Sequence, residues 1–339
     1  MARINRQVLL KARPSGIPQA EHFEIVQRDV PAPAEGQILI RNIYLTAEPA
    51  MRGWVNTLAN YAEPVALGAV MRGPAVGQVE ESRHADYRVG DYVTGGFGWQ
   101  AYALVEAKAI QRKIPGNDLP LSAYLGVLGL NGLTAYFALL EVGQPKSAET
   151  VVVSTAAGSV GSCVGQIAKI KGCRTVGIAG GPEKTRRCRE EFGYDAAIDY
   201  KAGALEDALA AACPEGIDVY FDNTAGAISD AVMQRLRVGA RIVNCGTASI
   251  GNWEPWPMGP RVERHLLVKR ARMQGFLVGD HAARFPEAFA ALSQWVRSGV
   301  LRYREDRLEG IEHMPDAIAG LYRGENLGKR IIQIATENA

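Results

Sequence analysis

What most constrains this chain is a regular alternation of β-branched runs and amphipathic segments between residues 150 and 278. The apolar runs are Thr150–Ser154, Arg174–Ala179, Ala196–Tyr200, Val219–Asp222, Ala240–Cys245 and Met273–Val278, with helix-like patterns between them. Strands separated by helices are joined by crossovers rather than tight turns, so they pair in parallel. Six of them predict an α/β fold with a doubly wound parallel sheet.

The first strand, Val151-Val152-Val153-Ser154, runs into Thr155-Ala156-Ala157-Gly158-Ser159-Val160-Gly161 and then into the helical pattern Val164, Ile167, Ala168, Ile170. This is a dinucleotide fingerprint with alanine in its first glycine place, Ala156-x-Gly158-x-x-Gly161. Gly158 lets the backbone approach a pyrophosphate, Gly161 lets the helix pack on the strand, and the helix N-terminus offers N–H groups to the anion. A glycine triplet alone also fits a merely structural turn, but its place between strand and helix, inside the alternation, favours a nucleotide. NAD sites carry an acid at the end of the second strand to hold the ribose hydroxyls. Here that strand ends in Gly180-Gly181-Pro182-Glu183-Lys184, with Arg186 and Arg187 close behind. Room and positive charge suit a ribose phosphate, so NADP(H) is the expected cofactor. The alternative is that Lys184, Arg186 and Arg187 form only a solvated helix face.

From Val8 to about Lys113 the text changes to short alternating runs such as Gln37–Tyr44, Ala75–Glu80 and Tyr102–Val105, broken by glycine, proline and aspartate, which reads as an antiparallel β domain. Leu121 to Leu140 reads as a helical stretch leading into the parallel sheet. After a helix at Pro286–Ser298 come Leu308, a helix at Pro315–Arg323 and a strand at Arg330–Ile334, too few pieces for a core of their own. They are expected to rejoin the β domain, giving a substrate domain of residues 1–122 and 300–339 and a nucleotide domain of 123–299.

Net charge is +2, with basic residues dispersed, which argues against a nucleic-acid partner. No apolar run approaches the ~20 residues that cross a bilayer, so a cytoplasmic protein with no membrane partner is expected. The five cysteines form no C-x-x-C pair and the five histidines share no helical face, so reduced thiols and no metal are expected.

Four segments carry a resemblance: Leu130–Phe137, Ala156–Gly172, Tyr220-Phe221-Asp222-Asn223 and Gly324–Lys329. In this order the chain resembles the zinc-independent branch of the medium-chain dehydrogenase/reductase superfamily, and within it the prostaglandin reductases, plant alkenal double-bond reductases and bacterial curcumin reductases. The resemblance implies a GroES-like β domain around a Rossmann domain, a homodimer, and hydride transfer from NADPH to the β carbon of an activated double bond. It implies that Gly158, Ser159, Val160 and Gly161 hold the pyrophosphate, Lys184 and Tyr200 the adenosine-side phosphate and ribose, and Asn223 the adenosine or its ribose. Cys245, Gly246, Phe276, Leu277, Val278 and Asn326 then approach the nicotinamide half, and Asn131 completes the cofactor set. Tyr200, Cys245 and Phe276 each also suit plain packing. The zinc alcohol dehydrogenases of the superfamily show a G-H-E stretch where this chain has Leu67–Gly73, and a four-cysteine lobe; neither is present.

Two phenols usual in that family are missing, because Ala50 stands in Glu48-Pro49-Ala50-Met51-Arg52 and Gly251 in Ser249-Ile250-Gly251-Asn252. A hydroxyl or amide must then polarise the substrate oxygen. Tyr44 and Asn252 are the catalytic candidates, with Tyr61 and a cofactor hydroxyl as further replacements; a tyrosine in an apolar strand such as Tyr44 is more often core than catalyst, and Asn252, in the loop after the fifth strand, is better placed to touch the ligand. The loop Trp253–Pro260 is apolar for a connection and suits a small apolar or aromatic carbonyl substrate, with Trp54 and Trp99 as further wall residues, or else it packs against another domain or copy. Reduction of an α,β-unsaturated aldehyde or ketone is the expected reaction. A quinone or carbonyl reductase of the same fold, and a silent NADPH-binding protein, remain open.

Overall fold

The computed structural model describes residues 3–57, 61–116 and 118–337. The chain divides into two compact units, Met1–Leu125 with Glu305–Ala339, and Gly126–Arg304.

The first unit opens with β1 (Ile4–Leu10) and β2 (Phe23–Asp29), an antiparallel pair. A larger sheet follows from β3 (Gln37–Thr46), β4 (Ala75–Ser82), β5 (Tyr92–Gly95), β6 (Tyr102–Glu106) and β7 (Ile110–Lys113), with the short helix α1 (Met51–Trp54) after β3. β3 runs from Ile38 to Leu45 with almost every side chain buried, because β4, β6 and the returning C-terminal strand all pair with it. Leu10, Ile38, Ile40, Leu45, Met71, Val79 and Trp99 form its core.

The second unit holds β8 (Thr150–Ser154), β9 (Arg174–Ala179), β10 (Ala196–Asp199), β11 (Ile217–Asp222), β12 (Leu236–Asn244) and β13 (Arg272–Gly275), all parallel, in the order β10-β9-β8-β11-β12-β13. Chain order reverses between β8 and β11, and the crevice beyond the strand ends at such a reversal is where open α/β sheets bind ligands. Val151, Val152 and Val153 are all inaccessible, so β8 is covered on both faces. Each such valine contributes about 1.5–3 kcal/mol, which fixes this strand at the centre. The helices are α2 (Leu130–Phe137), α3 (Ser159–Ile170), α4 (Pro182–Glu190), α5 (Leu205–Ala212), α6 (Gly226–Met233), α7 (Glu263–Lys269) and α8 (Phe285–Arg297).

The chain then returns to the first unit through β14 (Glu305–Glu309), α9 (Met314–Arg323) and β15 (Lys329–Gln333). β15 pairs antiparallel with β3, Ile331 opposite Thr46, and β14 pairs parallel with β15.

The stretch Leu121–Leu140 is not one helix. A 3₁₀ turn covers Leu121–Leu125, and α2 begins only at Leu130. Between them Gly126 and Gly129 fold the chain back so tightly that a Cβ on Gly132 would lie 1.8 Å from the Val127 carbonyl oxygen. The sixth strand also stops early, at Gly275 rather than Val278, since Val278–Arg284 forms a 3₁₀ turn. Among the described residues no helix is long and apolar enough to cross a membrane. None of the five cysteines is in a disulfide; four are buried, and burial pushes the Cys163 and Cys188 thiols up to about 12.

Candidate cofactor site

The turn from β8 to α3 is shaped by backbone that nothing can push aside. Thr155 adopts a left-handed φ of 54°, a costly conformation outside glycine, and Ala156 N donates to Ile178 O at 3.0 Å, tying the turn to β9. A Cβ on Gly161 would lie 2.3 Å from Thr155 O and 2.9 Å from Ala156 Cα, so α3 rests directly on the turn. Beneath it the buried Tyr194 hydroxyl donates to Gly161 O at 2.6 Å, and its ring fills the space that Gly165 leaves. The alanine in the first fingerprint place is accommodated from the neighbouring strand, because a Cβ on Gly177 would come within 2.8 Å of Ala156 Cβ.

Gly158 is the residue before α3, and Ser159 and Val160 form its first turn. The Ser159 hydroxyl is shut off from solvent with no hydrogen-bond partner in the protein. A buried polar group of that kind costs about 1–3 kcal/mol unless something satisfies it. A diphosphate oxygen beside the helix N-terminus does so, and the turn fits the group that the sequence implies.

Beyond β9, Gly181 takes a φ of 92° and Pro182 opens α4, with Lys184 in the first turn. Arg186 pairs with Glu183 and Glu190 on the exposed face of the helix, and the buried Arg187 pairs with Glu183 and Glu191, so both arginines are engaged by the helix's own acids. Tyr200 follows β10 in a 3₁₀ turn and is 40% exposed, which sets aside the reading of it as a core residue.

The most elaborate construction at these strand ends is one the sequence reading missed. Asp222, 1% exposed at the end of β11, accepts from Tyr220 Oη (3.0 Å), Thr224 N (2.9 Å), Ala225 N (2.9 Å) and Ser229 Oγ (2.8 Å), with Thr224 Oγ1 and Ser154 Oγ close by. A buried carboxylate persists only when donors surround it, and here they do. Its backbone oxygen accepts from Cys245 N and Gly246 N, while Asn223 N donates to Ser154 Oγ and Asn223 Nδ2 to Ser154 O. The loops after β8, β11 and β12 are thereby locked together around the point of strand reversal. The sequence signal was an acid closing an apolar strand.

Cys245 lies just past β12, and burial pushes its thiol up to about 12, so it is no thiolate near neutral pH. Phe276 lies past β13 with its ring on His281 (5.2 Å), which stacks in turn on Phe137 (5.0 Å). The Phe276 ring is therefore engaged in packing, whereas Leu277 is exposed and Val278 half-buried. Asn131 sits in the first turn of α2. Asn252 is exposed, its Oδ1 accepting from Trp253 N and its Nδ2 donating to Glu254 O within its own turn. In the same loop Trp253 and Trp256 meet edge to face, and Trp256 and Met258 are 75% and 96% exposed.

In the first unit two expectations need correction. Tyr44 is buried with its hydroxyl donating to Glu337 Oε1 at 2.7 Å and the Arg307 guanidinium over its ring; burial and that bond push its phenol far up. Its proton is engaged, and the residue packs the core. Trp99 is fully buried, its indole N–H donating to Thr46 O, so it lines no surface. Asn326 Nδ2 donates to Gly328 O in the turn before β15, and Lys329 is buried against Glu48. Tyr61 is exposed, and the hydroxyl of the half-buried Tyr322 donates to Pro49 O beside Ala50. Among the described residues no three histidine, cysteine, aspartate or glutamate side chains are grouped to hold a metal ion.

Residues 6–112 match a family model described as the N-terminal domain of oxidoreductase, and residues 159–295 one described as zinc-binding dehydrogenase. The NADPH-dependent curcumin reductase of Escherichia coli (strain K12) is 42% identical over 339 residues, 98% of each chain. The 2-alkenal reductase (NADP(+)-dependent) of Nicotiana tabacum is 38% identical, again over 98% of each chain. The crystal structure of CurA in complex with NADPH from Vibrio vulnificus superimposes with a TM-score of 0.93 at 44% identity, covering 98% of this chain and 100% of that one.

Proposed function

We propose, from the premise that the chain belongs to the zinc-independent medium-chain dehydrogenase/reductase family of curcumin, alkenal and prostaglandin reductases, that it reduces the C=C bond of α,β-unsaturated aldehydes and ketones. It is an NADP-dependent oxidoreductase. The observation that carries the reading is the turn Thr155–Gly161, with a buried, unsatisfied Ser159 hydroxyl at the head of α3.

NADPH, when bound, would supply a hydride to the β carbon, with the balancing proton reaching the α carbon from water or a hydroxyl. The chain's own part is to hold and polarise. The N–H groups of Ser159, Val160 and Gly161 hold the diphosphate, Gly158, whose own N–H donates to Thr155 O, leaves room for it beside the backbone, and Lys184 and Tyr200 hold the ribose phosphate. Asn223, fixed on Ser154, and Cys245 and Gly246, fixed on Asp222, shape the bed between. Asn252 Nδ2 carries a second hydrogen beyond the one given to Glu254 O, and that N–H is assigned to the substrate oxygen in place of the missing phenols. The exposed Trp256 and Met258 of its loop, with the half-buried Trp253, favour an apolar substrate.

Consumption of NADPH against enals, enones and quinones, with product analysis, tests the reaction. A saturated aldehyde or ketone is expected; an alcohol or hydroquinone makes the protein a carbonyl or quinone reductase, and tight binding without consumption makes it a silent binder. Asn252→Ala is expected to lower kcat/KM on the order of 10- to 100-fold with NADPH affinity unchanged.

We also propose a homodimer formed along β13. That strand ends the sheet with an open edge, and Leu267 and Val268 of α7 are exposed beside it, a combination that another copy covers.

A further inference from the structure

The cofactor's ribose phosphate has more than one cation to meet. β10 pairs in parallel with β9, Asp199 opposite Ala179, so the residues after them, Tyr200-Lys201 and Gly180-Gly181, emerge side by side. One carboxylate pins the two turns together: Asp199 Oδ1 accepts from Gly181 N at 2.8 Å and from Lys201 N at 3.0 Å. A Cβ on Gly180 would lie 2.9 Å from Tyr200 Cε1 and 3.0 Å from Lys201 Cε. The lysine's aliphatic stem thus lies across Gly180, on the turn that leads to Lys184.

The charges around this turn separate the residues that act locally from those that face outward. Arg186 and Arg187 are held by Glu183, Glu190 and Glu191. Glu183, the acid of the first helical turn, is answered by both arginines, and Asp199 is turned onto backbone N–H groups. We propose that Lys201 is a second cation of the ribose-phosphate subsite, laid over Gly180 and aligned by Asp199, and that it sets the preference for NADPH over NADH together with Lys184. The inference rests on the NADPH reading and extends it to a residue that neither the fingerprint nor the family resemblance singled out. A phosphomonoester dianion is better matched by two flanking ammonium groups than by one, and a pair with the half-buried Lys184 and the exposed Lys201 makes binding salt-dependent.

The test is direct binding by calorimetry of NADPH and NADH, and of 2′,5′-ADP and 5′-ADP, to the wild-type chain, Lys201→Gln, Lys201→Arg and Lys184→Gln. Glutamine keeps the stem on Gly180 and removes the charge. For Lys201→Gln the NADPH and 2′,5′-ADP dissociation constants are expected to rise about 10- to 100-fold, the scale of one charge-assisted hydrogen bond, with those for NADH and 5′-ADP within about twofold. Lys201→Arg should restore most of the preference. If Lys184→Gln loses the preference while Lys201→Gln keeps it, the role of Lys201 is refuted and the cofactor reading stands. An equal loss for both dinucleotides also refutes it, since that reports a damaged turn. A wild-type chain with no preference for the 2′-phosphate overturns both.

Discussion

Replacing Gly158 and Gly161 by alanine separates two roles that one turn performs. At Gly161 the new methyl would meet Thr155 O at 2.3 Å and Ala156 Cα at 2.9 Å, about 1 Å inside ordinary contact with the nearer atom. Both obstacles are backbone, so α3 itself must move. Overpacking of this kind costs about 1–3 kcal/mol, and in a unit of 150–250 residues each kcal/mol lowers Tm by roughly 2–4 °C. At Gly158 the nearest atoms are Thr155 Cγ2 at 3.0 Å and Thr155 O at 3.1 Å, and φ is −78°, ordinary for alanine. There the reduced freedom of the unfolded chain, worth about 0.4–1 kcal/mol, offsets most of the crowding. Gly158→Ala should therefore melt within about 2 °C of wild type, yet bind NADPH at least ~10-fold more weakly, because its methyl stands where the diphosphate approaches the backbone. Gly161→Ala should lose both stability and binding. Thermal melts and calorimetric titration read the two quantities separately. Undiminished NADPH binding in Gly158→Ala would refute the assignment of this turn to the diphosphate, and an unchanged Tm in Gly161→Ala would refute the steric argument.

Three further outcomes are expected. Ser229→Ala removes one donor from the buried Asp222 carboxylate and should cost about 1.5–3 kcal/mol, read by denaturant unfolding. Burial pushes the Glu149 carboxyl up, but hydrogen bonds from Arg241 and from Lys146 N outweigh it and hold the group below its ordinary 4.5; the stability it contributes is present above 4.5 and lost as pH falls through the lowered value, so the gap between wild type and Glu149→Gln should close on acidification below pH 4.5. Leu267→Glu should convert the dimer to monomer by light scattering with the melting temperature of the monomer little changed, and a wild-type chain that already runs as a monomer would reject that interface.

The parallel sheet was legible because strands such as Val151-Val152-Val153 are covered on both faces and their composition says so. Their ends were less legible. Gly275 closes β13 and Gly126 breaks the stretch from Leu121 to Leu140 because of local chain reversal, which apolar periodicity does not record. The nucleotide turn could be read because its glycines answer to a steric demand at fixed spacing. The candidate acid could not: Tyr44 lies in an apolar strand, and only its pairing with Glu337 and Arg307 reveals where its hydroxyl is engaged. Asp222 illustrates the same limit, since its donors come from five residues, Ser154, Tyr220, Thr224, Ala225 and Ser229, that only the fold brings together.

The contact between Ala156 and Gly177 makes the two positions hostage to each other. One methyl's worth of room is shared between the turn and the adjacent strand, and in this chain the methyl sits on the turn and the strand is bare. A methyl added at Gly177 is tolerated only in a chain that has first given up the one at Ala156, so the order in which such substitutions accumulate is constrained, and the single change Gly177→Ala should be rescued by Ala156→Gly. A search that demands glycine at the first fingerprint position will overlook every protein in which the vacancy has migrated to the strand next door.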